Sequence, residues 1–77
     1  MIKNINKELQ EELKKTFDYA FDLKRPPYSS DCEGMTKEEF IDKALIFTDN
    51  ILESDYHHGL MVIYNWRKDI EYWKSKK

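Results

Sequence analysis

Between Gly59 and Trp73 the chain carries more apolar and aromatic side chain than one helix of a small domain can bury. Leu60, Met61, Val62, Ile63, Tyr64, Trp66, Ile70, Tyr72 and Trp73 all fall inside it. Gly59, Ile63, Trp66, Ile70 and Trp73 recur at alternating steps of four and three, the seam of an antiparallel bundle. The spacing predicts a helix over about 57–75, with Trp66 and Trp73 buried along its inner side. A strand over Leu60 to Tyr64 is rejected. No other segment alternates at period two, and a lone strand would leave its backbone groups unpaired. A surface helix normally shows one apolar stripe and one polar face; here the apolar residues go most of the way round.

Two more helices precede it. Ile5, Leu9, Leu13, Phe17, Ala20 and Phe21 recur at threes and fours, predicting an amphipathic helix over about 5–24. Asn4 or Asn6 caps its start, and Glu11 with Lys15 is an i,i+4 pair in the favourable order. Arg25-Pro26-Pro27 ends it, because the residue before proline is pushed out of helical geometry. A Pro/Ser loop, 26–34, follows, with Tyr28 expected over the end of the bundle. The next helix is predicted over about 36–54. Thr36-Lys37-Glu38-Glu39 is a capping box, and Met35 with Phe40 can form the hydrophobic staple. Phe40, Ile41, Ala44, Leu45, Thr48, Ile51 and Leu52 cover one side, with Phe47 at its border. Ile46 is the exception: it projects into the polar arc of Asp42, Asp49, Asn50 and Glu53. Ser54 or Asp55 caps the third helix. Gly59 either closes helix two in a left-handed conformation or permits close helix packing. The expected fold is an all-α, small three-helix bundle forming one domain over 1–77.

Seventy-seven residues bury only about 60% of the surface of the unfolded chain, so stability is modest unless the chain associates. Cys32 is the only cysteine, which excludes a disulfide framework and suits a reducing cytoplasm. Met1 to Asn6 has no apolar core of a signal peptide, and no stretch nears the roughly 18 apolar residues of a membrane span. The formal net charge is −2. Residues 35–54 hold five acids against two lysines, whereas residues 55–77 hold five bases against three acids. That is too mild for a DNA mimic or a general nucleic-acid binder. Lys, Asn, Ile, Phe, Tyr and Met abound while Gly, Ala, Arg and Pro number two each. This bias points to an AT-rich genome, such as that of a low-GC bacterium or its phage.

Catalytic and metal chemistry find little support. His57 and His58 are adjacent and do not face each other on a helix, and zinc needs three or four converging ligands. Cys32 sits between Asp31 and Glu33, neighbours that raise a thiol pKa rather than activate it. Ser29 and Ser30 lack a nucleophile elbow, and two glycines make no phosphate loop. Arg25-Pro26-Pro27-Tyr28 lacks the spacing of a proline-rich recognition motif. The chain is therefore read as a non-enzyme with no metal or cofactor.

On a helical projection Met61, Asn65, Lys68 and Tyr72 form a second stripe opposite the Ile63, Trp66, Ile70 and Trp73 seam. Met and Tyr are enriched at interfaces, so this stripe is the expected binding face, with Ile46 a candidate extension. The expected function is binding or occluding another macromolecule. A protein partner or a second copy is the expected ligand, with no membrane. A phage or mobile-element inhibitor of a host enzyme is one concrete form. The alternative is nucleic-acid binding or transcriptional regulation. Tyr64, Trp66, Arg67, Lys68, Tyr72, Trp73 and Lys74 mix bases with aromatics, as single-strand binders do.

Overall fold

The computed structural model describes residues 3–76, which form three α-helices and one short 3-10 turn. Helix α1 spans Lys7–Leu23, α2 spans Lys37–Ser54 and α3 spans Tyr56–Lys76, and each packs against the other two. The all-α three-helix bundle expected from the sequence is the fold observed. Glu12 pairs with Arg67, and Tyr19 lies under Lys74, so α1 and α3 run the same way. Lys37, at the start of α2, reaches Asp18 and Asp22 near the end of α1, so α2 runs opposite to both.

The helix ends sit where side chains can satisfy orphan backbone donors. Asn6 Oδ1 accepts from the Leu9 amide at 2.8 Å. The capping box of α2 is complete: the Glu39 amide donates to Thr36 Oγ1 at 3.1 Å, and the Thr36 amide donates to Glu39 Oε1 at 3.0 Å. Asp55 starts α3, its Oδ1 accepting from the His58 amide at 3.1 Å. At the end of α1, Lys24 takes a left-handed conformation (φ 59°) before the Arg25-Pro26-Pro27 stop. Glu11 pairs with Lys14 at 3.8 Å rather than with Lys15.

Leu13, Phe17 and Ala20 of α1 meet Phe40, Ala44, Leu45 and Leu52 of α2, with Ile63 and Ile70 from α3. Ile5, ahead of α1, is buried with them. Phe17 lies at the centre, edge-on to Phe40 and to Trp66. The loop closes one end: Tyr28 packs on Phe21 and Phe40, with ring centroids 5.6 and 5.7 Å away. Gly59 serves close packing. A Cβ there would lie 2.6 Å from Leu52 Cδ2 and 3.1 Å from Leu52 Cα.

The seam of α3 departs from expectation at its far end. Gly59, Ile63 and Ile70 are buried and Trp66 is half-buried, but Trp73 is 38% exposed. A straight helix drifts by about 20° per heptad against a strict seven-residue repeat. Two heptads separate Gly59 from Trp73, so the indole has rotated out of the core. It lies instead under the Arg25 guanidinium, 4.6 Å from the ring centroid.

Candidate protein-binding surface

Met61, Asn65, Lys68 and Tyr72 follow steps of four, three and four along α3, and all four are exposed, Met61 by 50% and Tyr72 by 53%. The aromatic end of this stripe is ordered by its neighbours. Tyr72 stands perpendicular to Trp73 at 5.3 Å, and Lys76 lies over Tyr72 at 5.4 Å. Arg25, besides covering Trp73, makes two hydrogen bonds to the Asp69 carboxylate at 3.3 and 3.4 Å. The loop after α1 is thereby tied to α3, next to the stripe. Further along the helix Lys68 lies 5.5 Å from the Tyr64 ring.

Ile46 is 52% exposed on α2, a different helix from the one that carries the stripe. Phe47, next to Ile46 on α2, reaches α3, with its ring 6.3 Å from Trp66. Ile46 sits a third of a turn further out. Phe47 itself, placed at the border of the core by its spacing, is 54% exposed.

The sequence reading missed a groove on the outer side of the bundle between α1 and α3. Leu9, Tyr19, Leu60 and Tyr64 line it, above the buried Ile63 and Ile70. Lys15, Arg67, Lys68 and Lys74 border it, against Glu12 and Glu71. Arg67 crosses to Glu12 at 3.5 Å, and Lys74 pairs with Glu71 while covering Tyr19 at 4.3 Å. Glu12, Thr16 and Tyr19 follow helical spacing beside the α1 core stripe, the one sequence signal that could have indicated this wall.

Two charged residues carry structural work. Asp49, assigned to the polar arc around Ile46, is buried and only 6% exposed. Its Oδ1 accepts from the Asn4 amide at 2.7 Å and from the Lys3 amide at 3.1 Å, which pins the segment before α1 onto α2. The Asn4 backbone bond is the main cause holding its pKa below the ordinary carboxylate value; burial opposes it. Lys37 Nζ donates to Asp18 at 2.6 Å and to Asp22 at 3.0 Å, and these bonds raise its pKa.

His57 and His58 are exposed at the start of α3. Cys32 is half-buried in the loop, with Ser29 Oγ 3.9 Å from its sulfur. Among the described residues no three His, Cys, Asp or Glu side chains converge, and no helix is long and apolar enough to cross a membrane. No known protein family matches the chain, and neither a curated protein nor a solved structure matches it.

Proposed function

We propose that this protein is a protein–protein interaction module that acts by binding or occluding another macromolecule through the outer side of α3. The observation that carries the reading is the exposure of Met61 and Tyr72, with Asn65 and Lys68 between them, on a helix whose inner side already supplies the core. Binding hot spots favour aromatics that a partner can bury within a polar surround. Tyr72, held upright by Trp73 and flanked by Lys76 and Lys68, is the anchor. Ile46 lies on α2 rather than on α3. Given an amino-acid bias that points to an AT-rich genome, a phage or mobile-element inhibitor of a host enzyme is the concrete form of this activity. The protein performs no catalysis in this reading.

One set of observations favours nucleic acid instead. Along α3, four cations lie on four aromatic rings among the described residues: Arg25 on Trp73, Lys68 on Tyr64, Lys74 on Tyr19 and Lys76 on Tyr72. Single-strand binders combine such groups. The formal net charge of −2 supplies no strongly basic surface for a phosphate backbone, so the protein partner is preferred.

The test compares wild type with Lys68→Glu/Tyr72→Glu in affinity capture from a low-GC bacterial host, followed by mass spectrometry. A stoichiometric protein retained by wild type and lost with the folded double variant supports the reading. Equal capture by both overturns the site. Binding of single-stranded DNA or RNA that collapses with added salt, without a protein partner, transfers the function to the alternative.

A further inference from the structure

The bundle carries two further surfaces that share only Lys68 with the outer stripe of α3, and they match each other. The first is the α1–α3 groove. Leu9, Leu60 and Tyr64 give it an apolar floor, and its border holds four basic and two acidic side chains. Arg67 and Lys74 are paired within it, whereas Lys15 and Lys68 are in no ion pair among the described residues. The groove is therefore apolar with a local charge of +2, on a chain whose net charge is −2.

The second surface is the outer arc of α2. On a 3.6-residue projection, Glu39, Asp42 and Glu53 surround Ile46, with Lys43 and Asn50 at one edge. These α2 residues sum to −2, or −1 with Lys3, which pairs with Glu53 at 3.8 Å, and every one of them is exposed. Ile46 is its one large aliphatic side chain. Asp42, one turn before Ile46, is in no ion pair among the described residues.

We propose that the α1–α3 groove of one molecule receives the α2 outer arc of a second copy, with Ile46 seated on Leu9, Leu60 and Tyr64 and with Asp42 facing the free lysines. The fit is an amphipathic helix laid into an apolar groove, and the opposite local charges select its register. Geometry then dictates the assembly. No α2 residue lines the groove, because α2 packs on the other side of α1 and α3. Groove and arc point away from each other across the bundle. A two-fold dimer would need both on one side, so the contact is head-to-tail and propagates into a ring or an open chain. This self-association goes beyond the partner-binding role of the Met61–Tyr72 stripe and touches it only at Lys68.

Sedimentation velocity over a concentration series tests the proposal, with two single variants that keep Lys68 intact. Wild type should grow past dimer as concentration rises and should dissociate as salt screens the charges. Ile46→Asp and Tyr64→Glu alter exposed side chains, so circular dichroism should show both folded. Each alone should stay monomeric, because one carries a spoiled arc and the other a spoiled groove. Mixed together, the intact groove of the first and the intact arc of the second should form a one-to-one complex that grows no further. Wild type that remains monomeric at about 1 mM, the range of weak contacts, would overturn the proposal. So would wild type that stops at a dimer, variants that associate as wild type does, or a mixture that stays monomeric.

Discussion

Gly59 marks the closest approach of α3 to α2, and Leu52, the residue it faces, is buried and has no room to move. Alanine at this helical position would gain about 1 kcal/mol in intrinsic propensity. Its methyl, however, would enter space held by Leu52 Cγ and Cδ2 as well as by the Leu52 backbone, and overpacking of this kind costs about 1–3 kcal/mol. Gly59→Ala should therefore lower the urea midpoint rather than raise it. Asp49 makes a different residue-scale prediction, because its folded-state pKa lies below the ordinary value. A group of this kind contributes stability that is present above the unfolded carboxylate pKa, about 3.9. The contribution disappears as pH falls through the lower, folded value. Wild type should lose stability on acidification over that interval, and Asp49→Asn should lack this component while being less stable near neutral pH. Urea midpoints of the two proteins between neutral and strongly acidic pH measure the difference. A constant gap between them would show that the carboxylate charge plays no part in holding Lys3 and Asn4.

Among the elements, α2 has the best-defined start. The reciprocal bonds between Thr36 and Glu39 satisfy donors that the helix cannot satisfy internally, and removing such a cap costs about 1 kcal/mol. Thr36→Ala should reduce stability by about that amount, read from chemical denaturation with the m-value unchanged. All three helices and the Thr36 cap were legible in the sequence, and the caps of α1 and α3 were narrowed to two residues each, because they depend on neighbours close in the chain. Thr36 with Glu39, Asn6 with Leu9 and Asp55 with His58 are contacts of this range. Tyr28 was legible too, since it directly follows the Arg25-Pro26-Pro27 stop at the end of α1. Apart from Glu11, which pairs with Lys14 instead of Lys15, and Trp73, the errors occur where a residue's surroundings come from another element. Asp49 fell on the polar arc by projection, but the segment before α1 folds over it. Lys37 read as one of many surface lysines until α1 brought Asp18 and Asp22 beside it. Trp73 followed the repeat, and the drift of a straight helix took it off the seam. The stripe of Met61, Asn65, Lys68 and Tyr72 was legible as exposed because it belongs to a single helix. The α1–α3 groove was not, because its two walls lie some fifty residues apart.

For the molecule as a whole, the Cα radius of gyration is 11.9 Å, close to the roughly 11.5 Å of a compact chain of this length. Compactness in so short a chain places much of its stability on few side chains. Stability of about 0.05–0.15 kcal/mol per residue amounts to about 4–12 kcal/mol here. The two tryptophans divide that total unequally. Trp66 bridges all three helices: it belongs to α3, lies edge-on to Phe17 of α1 at 5.8 Å and contacts Phe47 of α2 at 6.3 Å. Core Trp→Ala changes cost about 3–5 kcal/mol, and the partial exposure of Trp66 puts it near the lower end, about 3 kcal/mol. Trp73 touches Arg25 and Tyr72 at the rim. A cation–π contact is worth about 0.5–1 kcal/mol at an exposed site, so Trp73→Ala should cost about 1 kcal/mol. Thermal denaturation should therefore rank wild type first, Trp73→Ala close behind and Trp66→Ala well below. Each variant retains one indole, so acrylamide quenching reads them separately. The Trp73 left in Trp66→Ala should quench readily while that variant is still folded, and the Trp66 left in Trp73→Ala should be protected until it unfolds. Equal losses of stability and equal quenching would place Trp73 in the core after all and return the α3 seam to its full length.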